Sequence, residues 1–152
     1  MIFSKETICL DLNAQNKEDV IERLCRKFKD TGNLIAQTDA LNDFANSVHQ
    51  RENISSTALG LEFAIPHGKS AAIKEPGVAF ARLSHPVSWD DDEEVRFVFL
   101  VGVSESGAGN NEHLHILAKL SGAIMEDDFR EQLEKATSAV EVLATFEKYT
   151  SN

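Results

Sequence analysis

Several features that would fix a protein class at once are missing from this sequence. No run of 18 apolar residues occurs, and the N-terminus lacks the charged-then-apolar layout of a signal peptide. Only two cysteines, Cys9 and Cys25, are present, and they form no CxxC pair. Such sparse cysteines favour reduced thiols over disulfides, so we expect a cytoplasmic protein.

Basic residues are also in short supply. The 152 residues include 15 Lys and Arg against 25 Asp and Glu, which gives a net charge of −10. A chain of this charge repels phosphate backbones, so we do not expect nucleic acid as a partner. The densest acidic run, residues 90 to 94, is interpreted as a solvated loop rather than as a cation site.

Familiar catalytic motifs are absent as well. The chain has no HExxH, no GxSxG, no P-loop and no GxGxxG, and no cysteine lies near a histidine at a metal-ligand spacing. We therefore predict neither a metal nor a cofactor. A chain without a nucleotide site can still move phosphoryl groups if another protein delivers them.

Hydrophobic periodicity predicts one α/β domain over residues 1–152. Helices are predicted from a cap at Asn16 to about Asp30, before Gly32, and from a cap at Thr38 to about Arg51. Three further helices are predicted: about 15 residues after a Gly/Asn/Ser loop, near 127 to 135, and from about 137. Strands are predicted at 7 to 11, 61 to 65, 77 to 83 and 95 to 103. The last is almost wholly apolar, which suits a central strand covered on both faces.

The segment Pro66-His67-Gly68 is a candidate reactive turn. Pro66 fixes its own φ and biases Ile65 toward an extended conformation. Gly68 allows a turn and a close approach by another molecule. His67 would then be held and yet reachable, which suits a reacting group, although an ordinary junction between a strand and a turn would look the same.

A second histidine lies at the start of the third predicted helix. On a helical wheel, His113 falls at the upper end of the apolar face that carries Leu117, Leu120 and Ile124, whereas His115 points to the opposite side. Two histidines so oriented do not share a metal. His113 alone fits an internal site, although a histidine in such a position is more often a half-buried structural residue. His49 and His85 have no motif and are interpreted as surface residues.

Two long segments resemble a known family. "RENISSTALGLEFAIPHGK" (51–69) and "NNEHLHILAKLSGAIMEDDFREQLEKATSAVEVL" (110–143) resemble the enzyme IIA domains of the bacterial phosphoenolpyruvate-dependent sugar phosphotransferase system. The subtype is the fructose/mannitol one, which includes nitrogen-regulatory relatives. "KEDVIERLCRKFKDTGNL" is similar to the first helix of that family. Phe63 departs from the pattern, because a smaller aliphatic residue usually stands there.

The resemblance implies a fold, a reaction and partners. The implied fold is a mixed, about five-stranded β-sheet with helices on both faces. His67 would accept a phosphoryl group from the carrier protein HPr and pass it to the cysteine of enzyme IIB, for uptake of a sugar of the fructose type through a membrane permease. Arg51 and His113 match the active-site arginine and the second active-site histidine of the family.

Two alternatives stay open beside this interpretation. One is a nitrogen-regulatory phosphocarrier that acts by protein binding without sugar transport. The other is a metal-dependent hydrolase that would use His67 and His113.

Overall fold

The computed structural model describes residues 2–105 and 110–150, and at positions 110, 112 and 113 it describes the backbone alone. After a short 3₁₀ turn (Lys5–Thr7), the described strands are β1 (Ile8–Leu12), β2 (Ala58–Gly60), β3 (Phe63–Ala64), β4 (His67–Ser70), β5 (Gly77–Ser88) and β6 (Glu94–Ser104). The described helices are α1 (Lys17–Asp30), α2 (Ala40–Ile54), α3 (Asn110–Ile124), α4 (Asp127–Lys135) and α5 (Ala139–Thr150). Part of the loop expected before α3 lies outside the described residues.

The strands form one mixed sheet in the order β1-β5-β6-β3-β2, with β4 also paired to β6. β1 runs parallel to β5, β5 antiparallel to β6, and both β3 and β4 run parallel to β6. The expected mixed sheet is therefore confirmed. The sixth strand arises because β3 and β4 are two pieces of one extended segment, interrupted at Ile65-Pro66, where Pro66 lacks an N–H to donate.

Helices cover both faces of the sheet, as expected. Along β6, Val98 and Leu100 belong to the core beneath α1 and α2, whereas Phe97, Phe99 and Val101 belong to the core beneath α3, α4 and α5. This alternation follows from the two-residue period of a strand. It confirms β6 as the central strand, which is buried on both faces from Phe97 to Val103.

Phe63, the departure from the family pattern, lies in the second of these cores. Its ring stacks on that of Phe97, with a centroid distance of 4.7 Å and an interplanar angle of 13°. The larger side chain is thus accommodated by an aromatic neighbour across the β3–β6 pair.

The two caps predicted for the first helices have different outcomes. Asn16 caps α1, since its Oδ1 accepts a hydrogen bond from the Asp19 N–H at 2.8 Å. The prediction for Thr38 is wrong: Asp39 stands at the N-cap of α2. A hydrogen bond from the Ala40 N–H to the Gln37 carbonyl closes a turn that leaves Thr38 outside the helix.

The described residues also bear on membranes and thiols. Within them, no helix combines the length and the apolar character needed to cross a bilayer. Cys25 is buried and Cys9 half-buried, and burial raises the pKa of both thiols. Thiols of this kind stay protonated near neutral pH and are poor nucleophiles.

Gly102→Ala is expected to destabilise the fold by about 1–3 kcal/mol, because an added Cβ would lie 2.6 Å from Cζ of Phe44 and 2.8 Å from Cε2 of Phe28. Gly122→Ala is the matched control. A Cβ there meets nothing within 4 Å, and alanine favours the helix by about 0.5–1 kcal/mol. Urea unfolding measures both. Equal stability changes in the two variants would show that β6 does not pack this closely against α1 and α2.

Candidate active site

The segment Pro66-His67-Gly68 is extended in the structure rather than turned. His67 begins β4, and His67, Gly68 and Lys69 pair with Val101, Gly102 and Val103 of β6. The Pro66 carbonyl accepts a hydrogen bond from the Val101 N–H at 3.0 Å, which carries the pairing across the interruption. The prediction of a turn is therefore wrong, because this backbone finds its hydrogen-bond partners along β6.

The imidazole of His67 is fixed by its own backbone. The side chain is 9% exposed, and Nδ1 lies 2.8 Å from the carbonyl oxygen of Ile65. A carbonyl oxygen can only accept, so Nδ1 donates and carries the ring proton. In the neutral ring the reactive lone pair then lies on Nε2.

Gly68 has a packing role that the sequence analysis did not assign. Its backbone does not adopt a positive φ. A Cβ at this position would lie 2.3 Å from Oγ of Ser47 and 2.8 Å from Cγ2 of Val48. The close approach that Gly68 permits is therefore that of α2, and it draws the helix that carries Arg51 against the strand that carries His67.

Arg51 lies in the last turn of α2, which continues to Ile54 rather than ending near Arg51 as predicted. The side chain is half-buried, and Nη1 donates to the Ser55 carbonyl at 2.9 Å. This bond holds the guanidinium over the loop that follows the helix.

Two adjoining surface depressions bring Arg51 and His67 together, and Leu117 of α3 lines both. The first is lined by Ser47, Arg51, His67, Gly68, Lys69, Leu114 and Leu117. The second is lined by Arg51, Ser56, Thr57, Ala58, Leu59, Ile65, His67, Leu117 and Ser121. The structure thus unites two of the three candidate residues where α2, β4 and α3 meet.

His113 belongs to the first turn of α3, and its side chain lies outside the described residues. The rest of the helix follows the predicted wheel: Leu120 and Ile124 are buried, Leu117 is half-buried and His115 is exposed. Leu117, one turn after His113, lines both depressions. A site role for His113 stays a prediction.

The charge state of His67 depends on its surroundings. Burial lowers the pKa of the imidazole below its usual range, and the nearby charge of Arg51 lowers it further. The hydrogen bond to Ile65 and the charge of Glu52 act in the opposite direction without reversing the shift. His67 is therefore neutral at cellular pH, as a nitrogen nucleophile must be.

Three residues around the site escaped the sequence analysis. Lys69 lies two positions after His67 on the same strand face, and Ser47 lies one helical turn before Arg51. Both spacings were readable from the sequence once β4 and α2 were placed. Glu52, a buried carboxylate, gave no periodic signal that distinguished it from the exposed acids of the chain.

The remaining candidates lie elsewhere. His49 is half-buried, with Nε2 3.3 Å from Oε1 of Glu22, and His85 is exposed within β5. In the acidic run, Asp91 and Asp92 are exposed at the β5–β6 connection, as expected of a solvated loop. Across the part of the chain that the structure describes, no three His, Cys, Asp or Glu side chains gather at metal-ligand distance.

Comparisons of the sequence and of the fold with known proteins point to the same family. Residues 1–149 match the family described as "Phosphoenolpyruvate-dependent sugar phosphotransferase system, EIIA 2". The chain is 35% identical over 135 residues to the "PTS system fructose-specific EIIA component" of Haloferax volcanii, which covers 88% of this chain and 84% of that protein. It is 32% identical over 146 residues to the "PTS system 2-O-alpha-mannosyl-D-glycerate-specific EIIABC component" of Escherichia coli K12, covering 94% of this chain and 21% of that longer protein.

Among solved structures, the "Nitrogen Regulatory Protein IIA-Ntr from Neisseria meningitidis" superposes with a TM-score of 0.83 at 32% identity, over 95% of each chain. Sequence and fold thus agree on the class, a component of a phosphotransferase system. The chain belongs to the EIIA type 2 family of the phosphoenolpyruvate-dependent sugar phosphotransferase system.

A pH titration of the His67 ring by NMR should give a midpoint below the usual histidine value of about 6.5. The unfolded chain, with its ordinary histidine pKa, binds this proton more readily than the folded protein does. His67 should therefore make the free energy of unfolding fall as the pH drops from about 6.5 toward the lower midpoint of the folded protein. Arg51→Gln should raise the midpoint, since it removes a neighbouring positive charge. Arg23→Gln, on the exposed side of α1, is the control. An unchanged midpoint in Arg51→Gln would place the guanidinium away from the ring.

Proposed function

We propose that the protein is a phosphoryl carrier in which His67 accepts a phosphoryl group from phosphorylated HPr and passes it to the cysteine of enzyme IIB. The observation that carries the proposal is the His67 ring itself, held through Nδ1 by the Ile65 carbonyl and lining an open depression beside Arg51. Family membership supplies the reaction class.

The transfer needs no proton movement at the ring. The Nε2 lone pair attacks phosphorus, the bond from phosphorus to HPr breaks, and its electron pair leaves with HPr. The Nδ1 proton stays on the ring, where it donates to the Ile65 carbonyl. In the second step the thiolate of enzyme IIB attacks phosphorus, and the bond to Nε2 breaks and restores the neutral ring.

Positive charge around the ring suits the transferred group. A phosphoryl group passes through a loose, charge-rich transition state, so catalysis depends mainly on positioning and on donors aimed at its oxygens. Arg51 offers a planar, permanently charged fork, and Lys69 lines the same depression. We propose His113 as a further donor from the first turn of α3. Neither a metal nor a cofactor is required of this subunit.

The surroundings of the site suit protein partners. Leu59 and Leu114, which line the two depressions, are 38% and 66% exposed. Apolar side chains around a reactive centre favour docking of another protein face. We propose HPr and enzyme IIB as those partners, residues 1–152 as one functional unit, and a cytoplasmic location beside a membrane sugar permease. A sugar of the fructose type is favoured by the Haloferax volcanii relative.

A second function is supported by the structural comparison. The match to a nitrogen-regulatory IIA protein, at 32% identity and a TM-score of 0.83, favours a phosphocarrier that regulates by binding and drives no sugar uptake. Deleting the gene and measuring growth on fructose separates the two roles. Loss of growth supports transport, and unchanged growth supports regulation.

His67→Ala is expected to abolish phosphoryl acceptance, because it removes the proposed nucleophile. The protein is incubated with phosphoenolpyruvate, enzyme I and HPr, and the acid-labile phosphate is mapped by mass spectrometry. His85→Ala is the control. It removes an exposed histidine near the C-terminal end of β5, and this variant should take up as much phosphate as the parent protein. Labelling that survives in His67→Ala would overturn the assignment.

Arg51→Lys distinguishes a catalytic arginine from a surface one. Losing a transition-state donor typically costs about 10²–10³ in rate, and lysine keeps the charge but loses the fork. We expect Arg51→Ala to slow acceptance by about that factor and Arg51→Lys to restore little of it, measured by rapid-quench transfer from phosphorylated HPr. If both variants transfer at nearly the parent rate, Arg51 serves only its bond to Ser55.

A further inference from the structure

Glu52 is a buried carboxylate beside the candidate site. It is 4% exposed and stands next to Arg51 in α2. Oε2 accepts hydrogen bonds from the Thr57 N–H at 2.8 Å and from Trp89 Nε1 at 3.1 Å, and Oε1 accepts from Thr57 Oγ1 at 2.6 Å. A buried charge is costly unless it is satisfied in this way. Three bonds from one carboxylate therefore tie the end of α2 to Thr57 and Trp89.

The bonds of Glu52 lead to His67 through Thr57. The Thr57 carbonyl accepts a hydrogen bond from the Ile65 N–H at 3.2 Å. The Ile65 carbonyl in turn accepts the Nδ1–H of His67 at 2.8 Å. Glu52 thus fixes Thr57, Thr57 fixes the backbone of Ile65 through its N–H, and the carbonyl of the same residue fixes the imidazole.

The same carboxylate also fixes the support of Arg51. The bonds between Glu52 and Thr57 span the end of α2 and close the loop formed by residues 55–56. The Ser55 carbonyl of that loop accepts the hydrogen bond from Arg51 Nη1. One buried group therefore holds the backbone on which both candidate catalytic side chains rest.

We propose that Glu52 is a positioning residue for phosphoryl transfer, which acts by holding Thr57 and, through it, the ring of His67 and the loop beneath Arg51. The role rests on the proposed function of His67. Misplacing a reactive group by about 1 Å can cost about 10² in rate, so a residue outside the depression can be important for the chemistry.

Glu52→Met is the direct test. Methionine keeps the length of the side chain but has no carboxylate oxygen, so the bonds from the Thr57 N–H, the Thr57 hydroxyl and Trp89 Nε1 are all lost. Acceptance from phosphorylated HPr should slow by about 10- to 100-fold at saturating HPr, with the half-saturating HPr concentration unchanged. In the unphosphorylated protein, the ring ¹⁵N spectrum of His67 should lose its single Nδ1–H tautomer.

Two further variants keep the test decisive. Trp89→Phe removes one bond from the same carboxylate but leaves both bonds to Thr57, so it should keep the rate within about threefold of the parent. Thr57→Val removes only the hydroxyl bond and should slow acceptance several-fold; it decides the question if Glu52→Met does not fold. A parent-like rate and a parent-like ring spectrum in both Glu52→Met and Thr57→Val would overturn the proposal.

Failure of the two proposals can be told apart. If the parent protein takes no phosphate on His67, the proposed function fails, yet the ring spectra still report whether Glu52 positions the imidazole. If the parent is phosphorylated on His67 and the spectra and rates of Glu52→Met do not change, the role of Glu52 alone is wrong.

Discussion

The hydrogen bond from Nδ1 of His67 to the carbonyl of Ile65 is the interaction on which the site depends. It sets the tautomer, because a carbonyl can only accept, and so it puts the basic lone pair of the neutral ring on Nε2. The carbonyl is itself held in place, since the Ile65 N–H is bonded to Thr57 and the next peptide is paired with β6. Burial then keeps the ring neutral by lowering its pKa. The bond to the Ile65 carbonyl thus orients the ring, and burial sets its charge state.

Packing at Gly68 brings the second component of the site into place. Without a Cβ at this position, α2 lies directly against β4, and its last turn reaches the depression beside His67. The residue after Arg51 is the buried Glu52, which closes the loop back toward the sheet. The C-terminal end of α2, the strand β4 and the helix α3 therefore meet at the depression beside His67. The arrangement suits the proposed carrier role, since the ring of His67 is fixed while the surface around it is open to another protein.

The sequence predicted much of this fold, and the reasons for its failures are specific. Strong periodicity located α1, α4 and β6 to within about one residue, because each has an apolar face or two buried faces. The pieces around His67 were predicted less well. β3 and β4 are short and interrupted by Pro66, so they carry no alternation, and their pairing with β6 is a long-range choice. Lys69 and Ser47 could be found only after those elements were placed. Glu52 could not be found, because its importance lies in contacts with Thr57 and Trp89 that no local pattern records.

The central claim is that the His67 ring is held through Nδ1 and reacts through Nε2. Phosphorylated protein, prepared with phosphoenolpyruvate, enzyme I and HPr, tests it in a long-range ¹H–¹⁵N spectrum recorded together with ³¹P couplings. We expect phosphorus to be coupled to Nε2 of His67, with Nδ1 still protonated and bonded to the Ile65 carbonyl. Phosphorus coupled to Nδ1, or to a nitrogen of another histidine, would contradict the account.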